Sequence, residues 1–229
     1  MSCLAATGYA ARMKRDIASY RTRLQGPTEA ERYAHRFEHG SRRRIDRREQ
    51  RAVRRIFGRL PDCHSVLDVP CGAGRFLPTL AQFCPEVVGA DVSAEVLGFA
   101  RRRAESAGVP VQVLCGDASR LPLPDNAVDA VFCNRLLHHL VKPEERARIL
   151  RELHRVTRRY LVVSFFDYQR FGAWRRFLKR LKGSKPAYEG QPTFAQFSAE
   201  TARIGFRLRE VVPTGPLWIS EKYFVLEKT

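Results

Sequence analysis

Residues Ser65 to Phe76, reading SVLDVPCGAGRF, constrain this chain more than any other stretch. A short apolar run with β-branched valines stops at Pro70, glycines follow at Gly72 and Gly74, and Phe76, Leu77, Leu80 and Phe83 then recur at helical spacing. The pattern predicts a strand, a glycine turn and a helix over 75–83. Because neither glycine carries a Cβ, a ligand can approach the backbone closely there. The free N–H groups of the following helix are expected to face that ligand.

Two ligand classes use such a turn. A dinucleotide fingerprint needs a third glycine three residues after the second, and that position is Leu77. No Gly-Lys-Ser/Thr ending of a phosphate loop follows either. What remains is Asp68 at the strand end and a second acid, Asp91, at the tip of the next apolar run. An acid at that second place is suited to accept hydrogen bonds from two ribose hydroxyls. An adenosine without a pyrophosphate fits this pair better than a dinucleotide.

With these residues the chain resembles the class I S-adenosylmethionine-dependent methyltransferases, whose first motif is Asp/Glu-x-Gly-x-Gly-x-Gly. Here Asp68, Gly72 and Gly74 match it, and Pro70 stands where the first glycine usually does. Asp91, Val92 and Ser93 are similar to the ribose motif, Gly116, Asp117 and Ala118 to the adenine-edge motif, and Asp125 to Asn134 to the fourth-strand motif. The resemblance implies S-adenosyl-L-methionine as cofactor, bound by Tyr33, Asp68, Pro70, Gly72, Gly74, Arg75, Asp91, Val92, Asp117, Ala118 and Asn134. The segment Tyr33 to Phe37 is similar to one that folds over the methionine end of the cofactor in many family members; a core-packing aromatic pair is the other reading.

The remaining chain alternates as a doubly wound sheet should. Strands are expected near 65–69, 87–91, 111–115, 128–133 and 160–166, with helices near 75–83, 94–107 and 143–157. Two last runs, 206–212 and 222–226, have no helix between them and should be antiparallel neighbours. With the resemblance, this implies an α/β fold class: a Rossmann-like, doubly wound, seven-stranded sheet, mostly parallel with one antiparallel strand, carrying a basic helical N-terminal extension. Ligands of such sheets lie beyond the carboxyl ends of the strands, where Asp68, Asp91, Asp117 and Asn134 fall. Each acid has a plainer alternative: Asp68 as an acceptor for turn amides, Asp117 as the cap of a short helix over 118–121.

His138 and His139 follow the fourth strand, where family members present residues to the transferring methyl group. Either is a candidate general base, since an imidazole titrates near neutral pH, and a structural hydrogen-bonding role is the alternative. Asn134 is followed by Arg135, Leu136 and Leu137 rather than by the Asn-Pro-Pro-aromatic run of nucleobase-amine enzymes. A small-molecule or lipid-like acceptor is therefore expected, with an RNA methyltransferase and a non-catalytic cofactor-binding module as alternatives.

Charge separates the chain into parts. Of a net +17, residues 1–60 hold 16 Lys/Arg against 6 Asp/Glu and residues 170–185 hold 7 against none, while the rest balances. A neutral core thus carries two basic attachments, which either face something anionic or are two solvated helical faces. Residues 1–27 read as a flexible basic arm and 28–229 as one methyltransferase domain, with 28–60 as a helical cap and 167–197 as an insertion or lid. Within the insertion, 170–185 reads as a basic amphipathic helix suited to an anionic membrane surface, with RNA less favoured. The six cysteines show no paired spacing, and no apolar run of eighteen residues or leader pattern occurs. These features predict a cytoplasmic protein without a metal site, peripheral at the inner face of a membrane if 170–185 docks there.

Overall fold

The computed structural model describes residues 27–167, 191–216 and 219–229. The expected basic arm, but for its last residue, and the 170–185 amphipathic segment lie outside the described residues.

In chain order the elements are α1 (Pro27–His35), α2 (Gly40–Phe57), β1 (Ser65–Asp68), α3 (Leu77–Leu80), β2 (Glu86–Asp91), α4 (Ala94–Ser106), β3 (Val111–Cys115) and β4 (Val128–Cys133). A 3-10 turn at Leu137–His139 leads to α5 (Pro143–Val156), β5 (Thr157–Phe166), α6 (Phe194–Ile204), β6 (Phe206–Pro213) and β7 (Glu221–Lys228). The strands form one sheet in the order β3-β2-β1-β4-β5-β7-β6. Neighbours from β3 to β5 run parallel, and β7 runs antiparallel to both β5 and β6. This is the expected mixed seven-stranded α/β sheet. The order reverses between β1 and β4, so the carboxyl ends of those two strands flank the crevice where such sheets take ligands.

Both faces of the sheet are covered, which is why β1 and β4 are buried along their whole length instead of alternating between buried and exposed positions. One face packs with Val53, Ile56 and Phe57 of α2, Leu77 and Leu80 of α3, and Leu97 and Ala100 of α4. The other packs with Ile149, Leu150 and Leu153 of α5 and with Phe197 of α6.

Two helices depart from expectation. The helix after the glycine turn is only the single turn of α3. Beyond it, Gln82 and Phe83 donate to carbonyls three residues back, at 3.2 and 2.9 Å, so the segment tightens ahead of Pro85 instead of continuing. Conversely, α6 lies where the sequence reading placed the end of an insertion and no helix. The Thr193 hydroxyl accepts the Gln196 N–H (3.0 Å), the Gln196 side chain accepts the Thr193 N–H (2.9 Å), and Gly205 closes the helix at φ +102°. Phe197 sits stacked on Phe165 (5.2 Å) and edge-on to Phe224 (5.3 Å), so this helix belongs to the core. Among the described residues no helix is long and apolar enough to cross a membrane.

Candidate functional site

Gly72 and Gly74 both have positive φ, +54° and +72°, but they face different things. A Cβ on Gly72 would lie 3.0 Å from the Tyr33 ring, on the cavity side of the turn. A Cβ on Gly74 would lie 2.8 Å from the Cα of Ala100, so this glycine lets α4 close against the turn. The structure therefore revises the expectation that both glycines open the backbone to a ligand: Gly74 serves helix packing. The expected fan of helix N–H groups is revised too, because α3 is one turn long. Moreover, the Gly72 N–H is already donated to Asp91 Oδ2 (3.0 Å) and the Gly74 N–H to the Cys71 carbonyl (3.1 Å).

A cavity of about 330 Å³ opens beside this turn, within the size range of small-molecule sites. Of the sequence-derived candidates it brings together Tyr33 from α1, Pro70, Gly72 and Arg75 from the turn, and Asn134, His138 and His139 from the segment after β4. Asp68, Gly74, Asp91, Val92, Asp117 and Ala118 lie outside its walls. The cavity is thus the part of the crevice between β1 and β4, while the residues matched to ribose and adenine stand to one side, at the ends of β2 and β3.

Each acid there has a definite environment. Asp91 is buried and accepts the Gly72 and Ser93 N–H groups, one on each oxygen; burial raises its pKa against those hydrogen bonds. Since a carboxylate oxygen has two acceptor directions, both keep capacity for a second donor. Half-buried Val92 follows it, its carbonyl accepting the Cys115 thiol at 3.6 Å. Asp117 Oδ1 accepts the Ser119 N–H (2.8 Å), closing a turn with half-buried Ala118 inside it; 118–121 form no helix. Asp68 is unlike the others. It is fully buried, and among the described residues neither oxygen has a hydrogen-bond partner. Burial pushes this carboxyl well above its usual range, Asp91 adds to that, and Arg75 only partly offsets it.

Under the cavity lies a buried ion network that the sequence reading missed. Glu49 of α2 is completely buried; it pairs with Arg75 at 2.5 Å and with Arg135 at 2.7 Å. Arg75 also reaches Asp46 (2.7 Å) and lies between the rings of Phe37 and Phe76, each 4.1 Å away. Arg135 reaches Glu221 of β7 at 3.1 Å. Burial alone would push Glu49 up, but the two guanidiniums hold it below its ordinary value. Glu221 goes the other way, pushed up to about 9 by burial and by the neighbouring Glu49. Tyr223, also on β7, donates its hydroxyl to Asn134 Oδ1 at 3.2 Å. Arg135 holds a left-handed backbone, φ +57°, uncommon for a non-glycine residue, and its N–H is fixed on the Ser164 hydroxyl at 2.7 Å.

The two histidine rings lie against each other with centroids 3.9 Å apart and planes tilted by 41°, and His138 also meets Phe166 at 4.5 Å. Burial, then His139, Arg135 and Arg36, hold His138 well below the usual imidazole range. It stays neutral at physiological pH and is a weak proton acceptor. Its Nδ1 is sealed from water with no hydrogen-bond partner among the described residues.

Residues 66–159 match the family model described as a methyltransferase domain. Among curated proteins, a demethylmenaquinone methyltransferase of Thermus thermophilus is 46% identical over 68 residues, covering 29% of this chain and 31% of that protein. Another, from Renibacterium salmoninarum, is 34% identical over 131 residues, covering 56% and 52%. The matches therefore span between about a third and a half of these relatives' lengths. Among solved structures, magnesium protoporphyrin IX methyltransferase from Synechocystis with bound SAH superposes with a TM-score of 0.73 at 20% identity, covering 93% of this chain and 100% of that one. A SAM-dependent methyltransferase from Aquifex aeolicus gives 0.59 at 23% identity, covering 93% and 98%. At these identities the structural likeness shows a shared fold.

Proposed function

We propose that the chain, whose residues 66–159 match the methyltransferase-domain family, is a class I S-adenosylmethionine-dependent enzyme transferring the methyl group of that cofactor to a small-molecule acceptor. The observation that carries the reading is the cavity at the β1/β4 crevice, bounded by the glycine turn on one side and by Asn134, His138 and His139 on the other.

The residues present fit the cofactor. Asp68, a buried carboxyl without a hydrogen-bond partner among the described residues, has the chemistry to accept from a cationic donor, whose charge would offset the burial that raises its pKa. Asp91 retains acceptor capacity for ribose hydroxyls, and Val92, Asp117 and Ala118 at the neighbouring strand ends are assigned to the adenosine side. A Cβ at Gly72 would fill the space beside Tyr33, so the turn offers bare backbone where a ligand would lie. When bound, the cofactor supplies an electrophilic methyl group on a sulfonium. The chain's part is to align the acceptor against that methyl group, and Pro70, Arg75 and Asn134, read from the sequence as cofactor-binding residues, line the cavity where the two would meet. The relatives named above act on quinone and porphyrin ring systems, which supports an acceptor of that general kind over a polymer.

Calorimetry with S-adenosylhomocysteine is expected to show micromolar binding without metal. Asp91→Ala should weaken it by about 1–3 kcal/mol, the cost of leaving hydroxyls without a charged acceptor. Unchanged affinity in that variant would remove the ribose assignment. Transfer of labelled methyl into small-molecule and lipid extracts, with RNA as a parallel arm, tests the acceptor class. Labelling of RNA alone, with a steep salt dependence, would replace it by a nucleic-acid substrate held through the exposed arginines of α2. Cofactor binding without transfer to any fraction would point to a non-catalytic module.

A further inference from the structure

The cavity is rich in hydrogen-bond donors. Among the described residues no Asp or Glu lines it, while Arg36, Arg42, Arg75, Arg103 and Arg135 do. Arg75 is matched by Asp46 and Glu49, and Arg103 by Glu38 at 3.3 Å. Arg135 is less fully engaged: its Nε is on Glu49 and one terminal nitrogen on Glu221, leaving the other, Nη1, without a protein acceptor among the described residues. Glu221, raised to about 9, brings Arg135 a hydrogen-bond acceptor but little charge at neutral pH. Arg42, exposed at the mouth, has no ion pair among the described residues.

Two neutral groups point to the same chemistry. Asn134 has its Oδ1 taken by the Tyr223 hydroxyl, which leaves its NH₂ group with donors to place. His138 Nδ1 is buried and unpartnered, and an unpaired buried polar atom in a native cavity calls for a partner that a ligand would bring. Arg135, Asn134 and His138 share one short segment of chain, and the strained backbone of Arg135 is held in place by Ser164. Such a cluster is complementary to a group that accepts hydrogen bonds, donates none and is negatively charged.

Resting on the methyltransferase reading, we propose that the acceptor is bound as an oxyanion, a carboxylate or an ionised phenol, with Arg135, Asn134 and His138 donating to it and Arg42 adding charge at the mouth. The chemistry then balances without a base. The acceptor oxygen supplies the electron pair for the new carbon–oxygen bond, the carbon–sulfur bond breaks with its pair kept by sulfur, and the two opposite charges cancel. No proton has to be removed, which agrees with a His138 that is buried among cations and weakly basic. The histidine's work is to position the oxygen.

The test uses the full chain saturated with S-adenosylhomocysteine and three ring probes of similar shape: 2-naphthoate, its neutral analogue 2-naphthamide, and 2-naphthol. Calorimetry should show 2-naphthoate bound about tenfold or more tightly than the amide, the factor expected for hydrogen bonds to a charged group. Arg135→Gln should lose about that tenfold for naphthoate while changing naphthamide by about twofold at most, a split that general damage to the cavity would not produce. Arg42→Gln, at an exposed position that carries no fold risk, should lose about threefold and reduce the salt dependence of naphthoate binding. Preference for naphthoate at fixed pH identifies the carboxylate source, whereas naphthol binding that strengthens as naphthol itself ionises identifies the phenolate source. The proposal is overturned if naphthamide binds as well as naphthoate and naphthol gains nothing on ionising, or if neither anion binds at millimolar concentration. In a protein that still binds S-adenosylhomocysteine, that failure leaves the methyltransferase reading standing. Absence of S-adenosylhomocysteine binding would overturn both.

Discussion

Gly72 and Gly74 occupy the same left-handed region of backbone, yet a methyl group added at each meets different obstacles. At Gly74 the neighbour is the backbone of Ala100, which cannot move without shifting α4. Gly74→Ala should therefore cost about 2–4 kcal/mol in urea unfolding, from left-handed strain plus overpacking. At Gly72 the neighbour is the end of the Tyr33 ring, which can swing away, so Gly72→Ala should cost only the left-handed strain, about 1–2 kcal/mol. Its larger effect is expected on S-adenosylhomocysteine affinity. Equal destabilisation by the two variants would contradict the assignment of different roles. The sequence shows both glycines and the acids around them, because turn chemistry is local. It does not show which glycine faces helix and which faces cavity, since Ala100 and Tyr33 are brought to the turn only by the folded chain. For the same reason Asp68 was legible as an acid at a strand end, but its lack of a hydrogen-bond partner among the described residues was not.

At the scale of elements, the strands were legible because both faces of the sheet are covered, so β1, β2 and β4 appear as short, mostly apolar runs ended by turn residues. Helices were less so. The run after the glycine turn has helical spacing, but Pro85 follows it closely and only one turn forms. In α6 the signal was present and small: Thr193 and Gln196 at capping-box spacing, Phe197 and Thr201 on the buried face, and Gly205 at the end. Its apolar positions are few, and the more strongly amphipathic run before it dominates any periodicity reading. If α6 is the core element described here, Phe197→Ala should destabilise by about 3–5 kcal/mol through the cavity left between Phe165 and Phe224. Thr193→Ala should cost about 0.5–2 kcal/mol through loss of the cap. Chemical denaturation measures both. A Phe197→Ala variant as stable as the parent would place α6 outside the cooperative core.

Across the whole molecule, Glu49 is the residue that ties the N-terminal helices to the sheet, because through Arg75 and Arg135 it joins α2 to the glycine turn, to the segment after β4 and to Glu221 on β7. Part of this was readable: Ile45, Glu49, Val53 and Ile56 recur at the spacing of a buried stripe, which puts Glu49 on the inner face of an otherwise arginine-rich helix. Its partners were not readable, since they come from three distant segments. The network makes global stability depend on pH in two directions. Glu49 is held low, so its contribution is present above its unfolded value of 4.5 and is lost as pH falls through its lower folded value. Folded Glu221 keeps its proton up to about pH 9, whereas the unfolded chain gives it up near 4.5. Between those values the folded state holds the extra proton, so raising the pH favours unfolding. The melting temperature should accordingly fall from pH 6 to pH 9. Glu221→Gln, which keeps the shape of the protonated acid and can still accept from Arg135, should flatten that fall. A variant whose melting temperature drops with pH as steeply as the parent's would show that Glu221 is already ionised in the fold, and that the guanidiniums of Arg75 and Arg135 outweigh its burial.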